Sequence, residues 1–368
     1  MTSGEVLTPR ESGKLIAENA QHITICEDGI SKCAKELYNR IMKGQINLTR
    51  DIKNDKGDEE NYFKKSIVHP QTADNTGIDW VFFLDALNFS FWNFSSGENK
   101  QYQVTYKDIT YTGYLAFCAA VCRTLDSGTP LTTPTFYANL TENQLSTFLM
   151  GDNQVVCPLI KERVSCLHEI GEVLKKKFNS SFVNCLIHCE RYGEHKAQKL
   201  LNLVRNEFPC FRDEAEYQPI VGKPAVKVSF MKRAQILIAD VWSLFEGQGH
   251  GRFHDIDSLT MFADYRVPQS LQYFGAFKYS EKLFDELSKP EHILEHGCTY
   301  EIEIRGCSIE AVTRVVHETR RLLLEANQKP FVECLNCVIT DYFLWGFRRE
   351  KAEEMEQFPY HKVRSIYY

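Results

Sequence analysis

The sequence predicts a mainly α-helical protein with a few short β-strands. Three observations lead there. Apolar residues recur at helical spacing over most of the chain. Capping residues, prolines and closing glycines bracket several of those stretches. Alternation of polar and apolar residues is confined to short runs such as QYQVTYKDITYTG.

In chain order, Thr8-Pro9 reads as a helix start, with a cap residue and proline at the first helical position, and ESGKLIAENAQHI continues it. Gly29 to Met42 reads as a second helix. TRDIKNDKGDEENYFKKS, Thr49 to Ser66, is charged and weakly periodic, and is expected to be a solvated, mobile loop. DWVFFLDALNFSFW, Asp79 to Trp92, is dense in apolar and aromatic residues and belongs to the core or a pocket wall. The alternation around Lys107-Asp108 predicts a short hairpin. Gly113 to Gly128 is a helix closed by glycine, and amphipathic helices fill Thr141 to Phe208. Ser229 is expected to cap a helix running from Lys232 to Gly247. EIEIR, Glu301 to Arg305, reads as a short strand, followed by an amphipathic helix over SIEAVTRVVHETRRLLLEA. VECLNCVITDYFLWGFRREKAEEM is the last helix. No linker divides the chain, so residues 1–368 are expected to form one compact unit, within which lobes of about 1–130 and 131–368 are conceivable.

The totals narrow the function. The chain has 368 residues, 43% hydrophobic and 12% aromatic, enough for a sizeable core. A net charge of −6 argues against a protein that grips nucleic acid by its phosphates, but not against a small anionic ligand met by a few local cations. The thirteen cysteines are scattered, and MTSGEVLTPRESGK has no apolar core of a signal peptide. Reduced thiols and a cytoplasmic or nuclear location are the expectation. Cys334 and Cys337 form one CxxC without a second pair, so no metal site is expected. No apolar run reaches the roughly 18 residues that span a bilayer.

Chemistry is concentrated in two places. The Lys232 helix is apolar on all sides, which marks it as buried, yet carries Asp240 in its middle. A buried carboxylate needs partners, and most such acids are structural anchors. Lys232 and Arg233 in its first turn oppose the helix dipole, which a bound anion would relieve. The second place is MFADYRVP, Met261 to Pro268. Asp257 or Ser258 is expected to cap a short helix, SLTMFAD, which Pro268 ends before a second helix, PQSLQYFGAF. Asp264, Tyr265 and Arg266 then sit at a corner, either to face a cleft or to tie the corner together. Phe91, Phe262, Tyr265, Tyr273 and Trp345 are available to stack on a flat ligand.

SFMKRAQILIADVWSLFEG, SLTMFADYRVPQSL, ALNFSFW, EIEIRGCSIEAV and the ending VRSIYY resemble the queuosine salvage protein family, from about Pro9 to Tyr368. The resemblance implies a helical fold akin to helix-hairpin-helix DNA glycosylases. It implies a hydrolase, without metal or other cofactor, that releases queuine from queuosine 5′-phosphate. It places the catalytic aspartate on Asp264, a base contact on Phe262, and ligand contacts on His69 and Asp341, with Tyr342 following. Lys232 and Arg233 are then attractive partners for the phosphate. The family pattern often carries a carboxylate just after the tryptophan of TDYFLW, where this chain has Gly346. A monomer with no stable nucleic-acid or membrane partner is expected. The alternatives are a non-catalytic protein that holds the modified base or nucleotide, and a nucleic-acid base glycosylase.

Overall fold

The computed structural model describes residues 6–46, 66–92, 101–190, 196–219 and 224–368. The charged segment expected as a loop, Thr49 to Ser66, lies outside them except for its last residue. In chain order the elements are α1 (Pro9–Asn19), β1 (Ile23–Ile25), α2 (Glu27–Met42), α3 (Asn75–Ala86), β2 (Gln103–Tyr106), β3 (Ile109–Thr112), α4 (Tyr114–Asp126), α5 (Pro134–Tyr137), α6 (Glu142–Phe148), α7 (Ile160–Lys177), α8 (Val183–Glu190), α9 (Ala197–Glu207), β4 (Glu214–Tyr217), β5 (Val226–Ser229), α10 (Lys232–Leu244), α11 (Val267–Tyr273), β6 (Phe277–Tyr279), α12 (Glu281–Ser288), α13 (Thr299–Glu325), α14 (Lys329–Cys334), α15 (Cys337–Glu350) and α16 (Ala352–Met355). The protein is mainly α-helical, as expected. The strands pair two by two and antiparallel, β1 with β6, β2 with β3 and β4 with β5. No helix among the described residues is long and apolar enough to cross a membrane.

The chain divides into two units that alternate along the sequence. The first comprises Met1–Glu59, Asp213–Gln235 and Asp255–Arg364; the second Glu60–Arg212, Ile236–His254 and Ser365–Tyr368.

The first unit is built on α13. Its partner α1 begins with a capping box, in which Thr8 and Glu11 satisfy each other's backbone N–H groups. The two helices approach through glycines: a Cβ on Gly13 would stand 2.6 Å from Ile309, and one on Gly306 would stand 2.5 Å from Ile16. Each glycine receives the other helix's isoleucine. The predicted strand EIEIR is part of α13. Its alternation misleads because Glu301, Glu303 and Arg305 are as buried as Ile302 and Ile304. Those charges bond to neighbouring segments; Glu303, for example, accepts the N–H groups of Gln21 and His22 at 3.0 and 2.8 Å.

Three other expectations are corrected here. SLTMFAD is not a helix; only a 3₁₀ turn, Ile256–Ser258, precedes a non-helical run. Its backbone groups bond to side chains from elsewhere instead of to each other. Ser229 does not cap α10 but ends β5, its hydroxyl donating to the Leu7 carbonyl at 2.6 Å. The last helix is three, because Asn336 accepts the Ile339 N–H at 3.0 Å and caps α15 afresh.

In the second unit, α3 and the segment after it are buried. Phe82 stacks on Phe182, with ring centres 4.2 Å apart, and also meets Phe208 and Phe211. Arg163 is fully buried and donates to the carbonyls of Leu87, Phe89 and Pro158. The expected hairpin is present, with Lys107 and Asp108 both at positive φ, the geometry of a two-residue turn. The C-terminal tail is fastened here: the Ser90 hydroxyl donates to the Ser365 carbonyl at 2.8 Å, and the Ser90 N–H to that of Tyr368 at 3.0 Å.

Candidate active site

Leu259 to Val267 crosses the first unit with its backbone held almost residue by residue. Arg10 donates to the Leu259 carbonyl at 3.0 Å. Gln235 is buried, and its amide oxygen accepts the Thr260 N–H at 2.8 Å while its nitrogen meets the Thr260 hydroxyl at 3.0 Å. Asp341, from α15, accepts the Phe262 N–H at 3.0 Å. Arg305, from α13, donates through Nε to the Ala263 carbonyl at 2.9 Å. Buried backbone groups must find partners. Here the partners are side chains of four helices, so the segment takes one conformation without being helical.

The next residue is Asp264. Its Oδ1 accepts two N–H groups, from Arg266 at 2.8 Å and Val267 at 2.9 Å. These amides open α11, so the aspartate folds back on the corner that follows it. Its other oxygen, Oδ2, accepts no hydrogen bond from the described residues. The side chain is half-buried. Asp264 is thus a rigid carboxylate with one oxygen committed to structure and one oxygen left for something else. The polar trio does occupy a corner, between a side-chain-held strand of backbone and one helix rather than between two.

Behind Asp264 lies a buried ionic chain. Arg305 is fully buried and grips Asp213 with both terminal nitrogens, at 2.8 and 2.6 Å. Glu301 stands 3.6 Å from the same guanidinium and 3.0 Å from His296 Nδ1. Burial pushes the Glu301 carboxyl up, but the hydrogen bond from His296 and the charge of Arg305 outweigh it and hold it below its ordinary value. His296 is raised, chiefly by its hydrogen bond to Glu301. Asp213 Oδ2 also accepts the Lys232 N–H at 3.0 Å, so Asp213 joins the start of α10 to Arg305 and through it to Ala263. Sequence reasoning missed Asp213 and Arg305. The only signal was the Glu301–Arg305 spacing of four, which is meaningful only on a helix.

The structure brings Phe262, Asp264, Asp341 and Tyr342 together. Phe262 and Tyr342 meet edge to face, ring centres 6.0 Å apart. Lys232 and Arg233 are buried, at 6% and 1% exposure, rather than solvated. Gly346 is exposed, and a Cβ there would meet nothing within 4 Å, so the glycine has no packing reason. Of the proposed stacking rings, Tyr265 lies 5.7 Å from Tyr360, Tyr273 packs among Phe274, Phe347 and Phe358, and Trp345 carries the Arg349 guanidinium at 5.0 Å.

His69, Phe91 and Asp240 belong to the second unit. His69 Nδ1 is 2.7 Å from the Ser66 hydroxyl, and Nε2 is 3.2 Å from the Tyr114 hydroxyl. Burial lowers its pKa to about 4, so the ring is neutral at pH 7. Cys118 lies 3.9 Å from the same Nε2, and burial pushes this thiol well up, with the charges of Asp85 and Asp240 adding to it. Phe91 is buried against Tyr114 and Phe117.

Comparisons with known proteins converge. The family model "Queuosine salvage protein" matches residues 68–368. A mouse protein named queuosine 5′-phosphate N-glycosylase/hydrolase is 40% identical over 365 residues, covering 99% of this chain and all of its own length. Proteins of the same name from fission yeast and from the bacterium Sphaerobacter thermophilus are 38% and 35% identical, covering 82% and 79% of this chain and 86% and 81% of their own.

Proposed function

The chain belongs to the queuosine salvage protein family, and on that premise we propose that it hydrolyses the N-glycosidic bond of queuosine 5′-phosphate, with Asp264 as the carboxylate at the reacting carbon. The products are queuine and ribose 5-phosphate. The observation that carries the assignment of Asp264 is its divided carboxylate, with Oδ1 fixed by two amides and Oδ2 accepting nothing from the described residues.

Cleavage of a C–N glycosidic bond builds positive charge on the anomeric carbon and ring oxygen. A fixed carboxylate lowers the barrier most where that charge develops. The base is a poor leaving group, because carbon replaces the purine N7 and the usual protonation there is lost. The sugar side therefore carries a large share of the acceleration. The two N–H bonds to Oδ1 pre-orient the group, so little reorganisation is needed in the transition state. Phe262 and Tyr342 lie against the base. Asp341 faces the secondary amine of queuine, cationic at neutral pH, in a charge-assisted contact. Whether Asp264 acts by charge alone, by attack, or by orienting water is a choice among roles for the same oxygen.

The test is incubation of purified protein with queuosine 5′-phosphate and identification of the products by mass. Free queuine is expected without added metal. Asp264→Asn keeps an oxygen to accept both amides, so it should fold, but turnover should fall by at least about 100-fold. An Asn variant that turns over normally rejects the role.

A further inference from the structure

Arg266 and Arg348 meet at one neutral side chain. Arg40, Arg305, Arg314, Arg320 and Arg321 each pair with a carboxylate. Arg266 and Arg348 pair with none among the described residues. Both donate instead to one neutral oxygen, Gln269 Oε1, at 3.1 and 3.3 Å. Gln269 cannot turn away, because its amide nitrogen donates to the carbonyls of Phe358 and Met355 at 2.7 and 3.3 Å. The Arg266 guanidinium lies 4.0 Å from the centre of the Tyr360 ring, and Lys362 lies 5.5 Å from the same ring. All of these cations are partly exposed. Burial, and then the charge of Arg266, lowers the pKa of Arg348 to about 10 and lowers that of Lys362. Gathering cations about a neutral amide is unfavourable unless an anion joins them.

We propose that Arg266 and Arg348, supported by Lys362, bind the 5′-phosphate of the nucleotide substrate. This rests on the placement of Asp264 at the anomeric carbon. Arg266 follows Asp264 by two residues, at the same corner of the chain. The peptide N–H of Arg266 holds Asp264 Oδ1 at 2.8 Å while its guanidinium lies over the Tyr360 ring, so one residue links the carboxylate to the pair of cations. Two guanidiniums match a phosphate monoester in charge and in planar donor geometry. Phosphate binding is remote from the bond that breaks, so it serves to hold the ribose against the carboxylate. Lys232 and Arg233, the cations that the sequence first offers for this task, are more deeply buried, and the Lys232 amide is taken by Asp213.

The experiment compares queuosine 5′-phosphate with its dephosphorylated nucleoside, on wild type and Arg348→Gln, by kcat/KM. Wild type is expected to prefer the nucleotide, and Arg348→Gln to reduce that preference by about 10- to 100-fold. Inorganic phosphate should compete with the nucleotide on wild type and do so at higher concentration on the variant. If Arg348→Gln does not fold, Lys362→Gln is read in the same way. Equal losses on both substrates, or a wild type indifferent to the phosphate, overturn the proposal while leaving the hydrolase reading intact. A preference abolished by Arg233→Gln and untouched at Arg348 also overturns it, moving the phosphate to the start of α10. Cleavage of neither substrate by wild type would instead remove the hydrolase reading itself.

Discussion

Arg305 Nε holds the Ala263 carbonyl at 2.9 Å, in the peptide that leads directly into Asp264. The same guanidinium is anchored by Asp213, so the position of the carboxylate proposed to react is set from α13 through a buried ion pair. The pair is fully desolvated and costly to break: removing one partner of such a pair costs about 3–5 kcal/mol. Arg305→Lys keeps the charge but cannot reproduce a fork to Asp213 and a third bond to Ala263. The variant should melt well below wild type, and kcat should fall about tenfold or more with KM little changed. Thermal melts and steady-state kinetics on queuosine 5′-phosphate check both halves. A lower melting temperature with unaltered kcat would confine Arg305 to stability.

Asp341 separates structure from binding. Its Oδ2 accepts the Phe262 N–H at 3.0 Å in a buried setting. Asp341→Asn retains an oxygen acceptor there, whereas Asp341→Ala orphans the N–H, at a cost of about 1–3 kcal/mol. Denaturant midpoints should therefore drop for Ala and stay near wild type for Asn. Both variants lose the negative charge proposed to face the queuine amine, so both should raise KM by about tenfold and weaken product inhibition by queuine. An Asn variant with wild-type KM would reassign the amine to another group.

How much of this was legible beforehand differs from one stretch to the next. Thr8-Pro9 announced its helix because a cap is a local device, readable from three or four residues. The Lys107-Asp108 hairpin was legible for the same reason. EIEIR and SLTMFAD were misread because their outcome is decided far away in sequence. Glu303 serves Gln21 and His22, and Arg305 serves Asp213 and Ala263, so a face that looks polar is interior. Leu259 to Asp264 escapes the helix predicted for it because Arg10, Gln235, Arg305 and Asp341 take its backbone groups. Asp264 itself stood out as an acid at a corner before a proline. Asp213, which supports it from about fifty residues upstream, carries no local mark.

Buried histidines make stability depend on pH in a window set by their burial. In the second unit, burial lowers the His69 pKa to about 4; in the first, burial lowers His361 to about 3, with Glu301 opposing and Arg305 and His292 assisting. Unfolded, both titrate near 6.5. Below that value the unfolded chain takes up protons that the folded protein refuses, so the stability present above 6.5 is lost as pH falls towards 4. Each histidine contributes a slope of about 1.4 kcal/mol per pH unit in that window. His296 has the opposite sign. Its pKa is raised by Glu301, so its contribution is complete below 6.5 and fades only as pH rises through its folded value, whereas His292, lowered chiefly by burial, adds to the loss on the acid side. Urea unfolding at pH 6.5, 5.5 and 4.5 should show the decline, and His69→Gln should remove about 1.4 kcal/mol per pH unit of the slope whatever it does to stability at pH 7. An unchanged slope in that variant would mean that His69 takes up its proton in the folded state, and that burial does not hold it neutral.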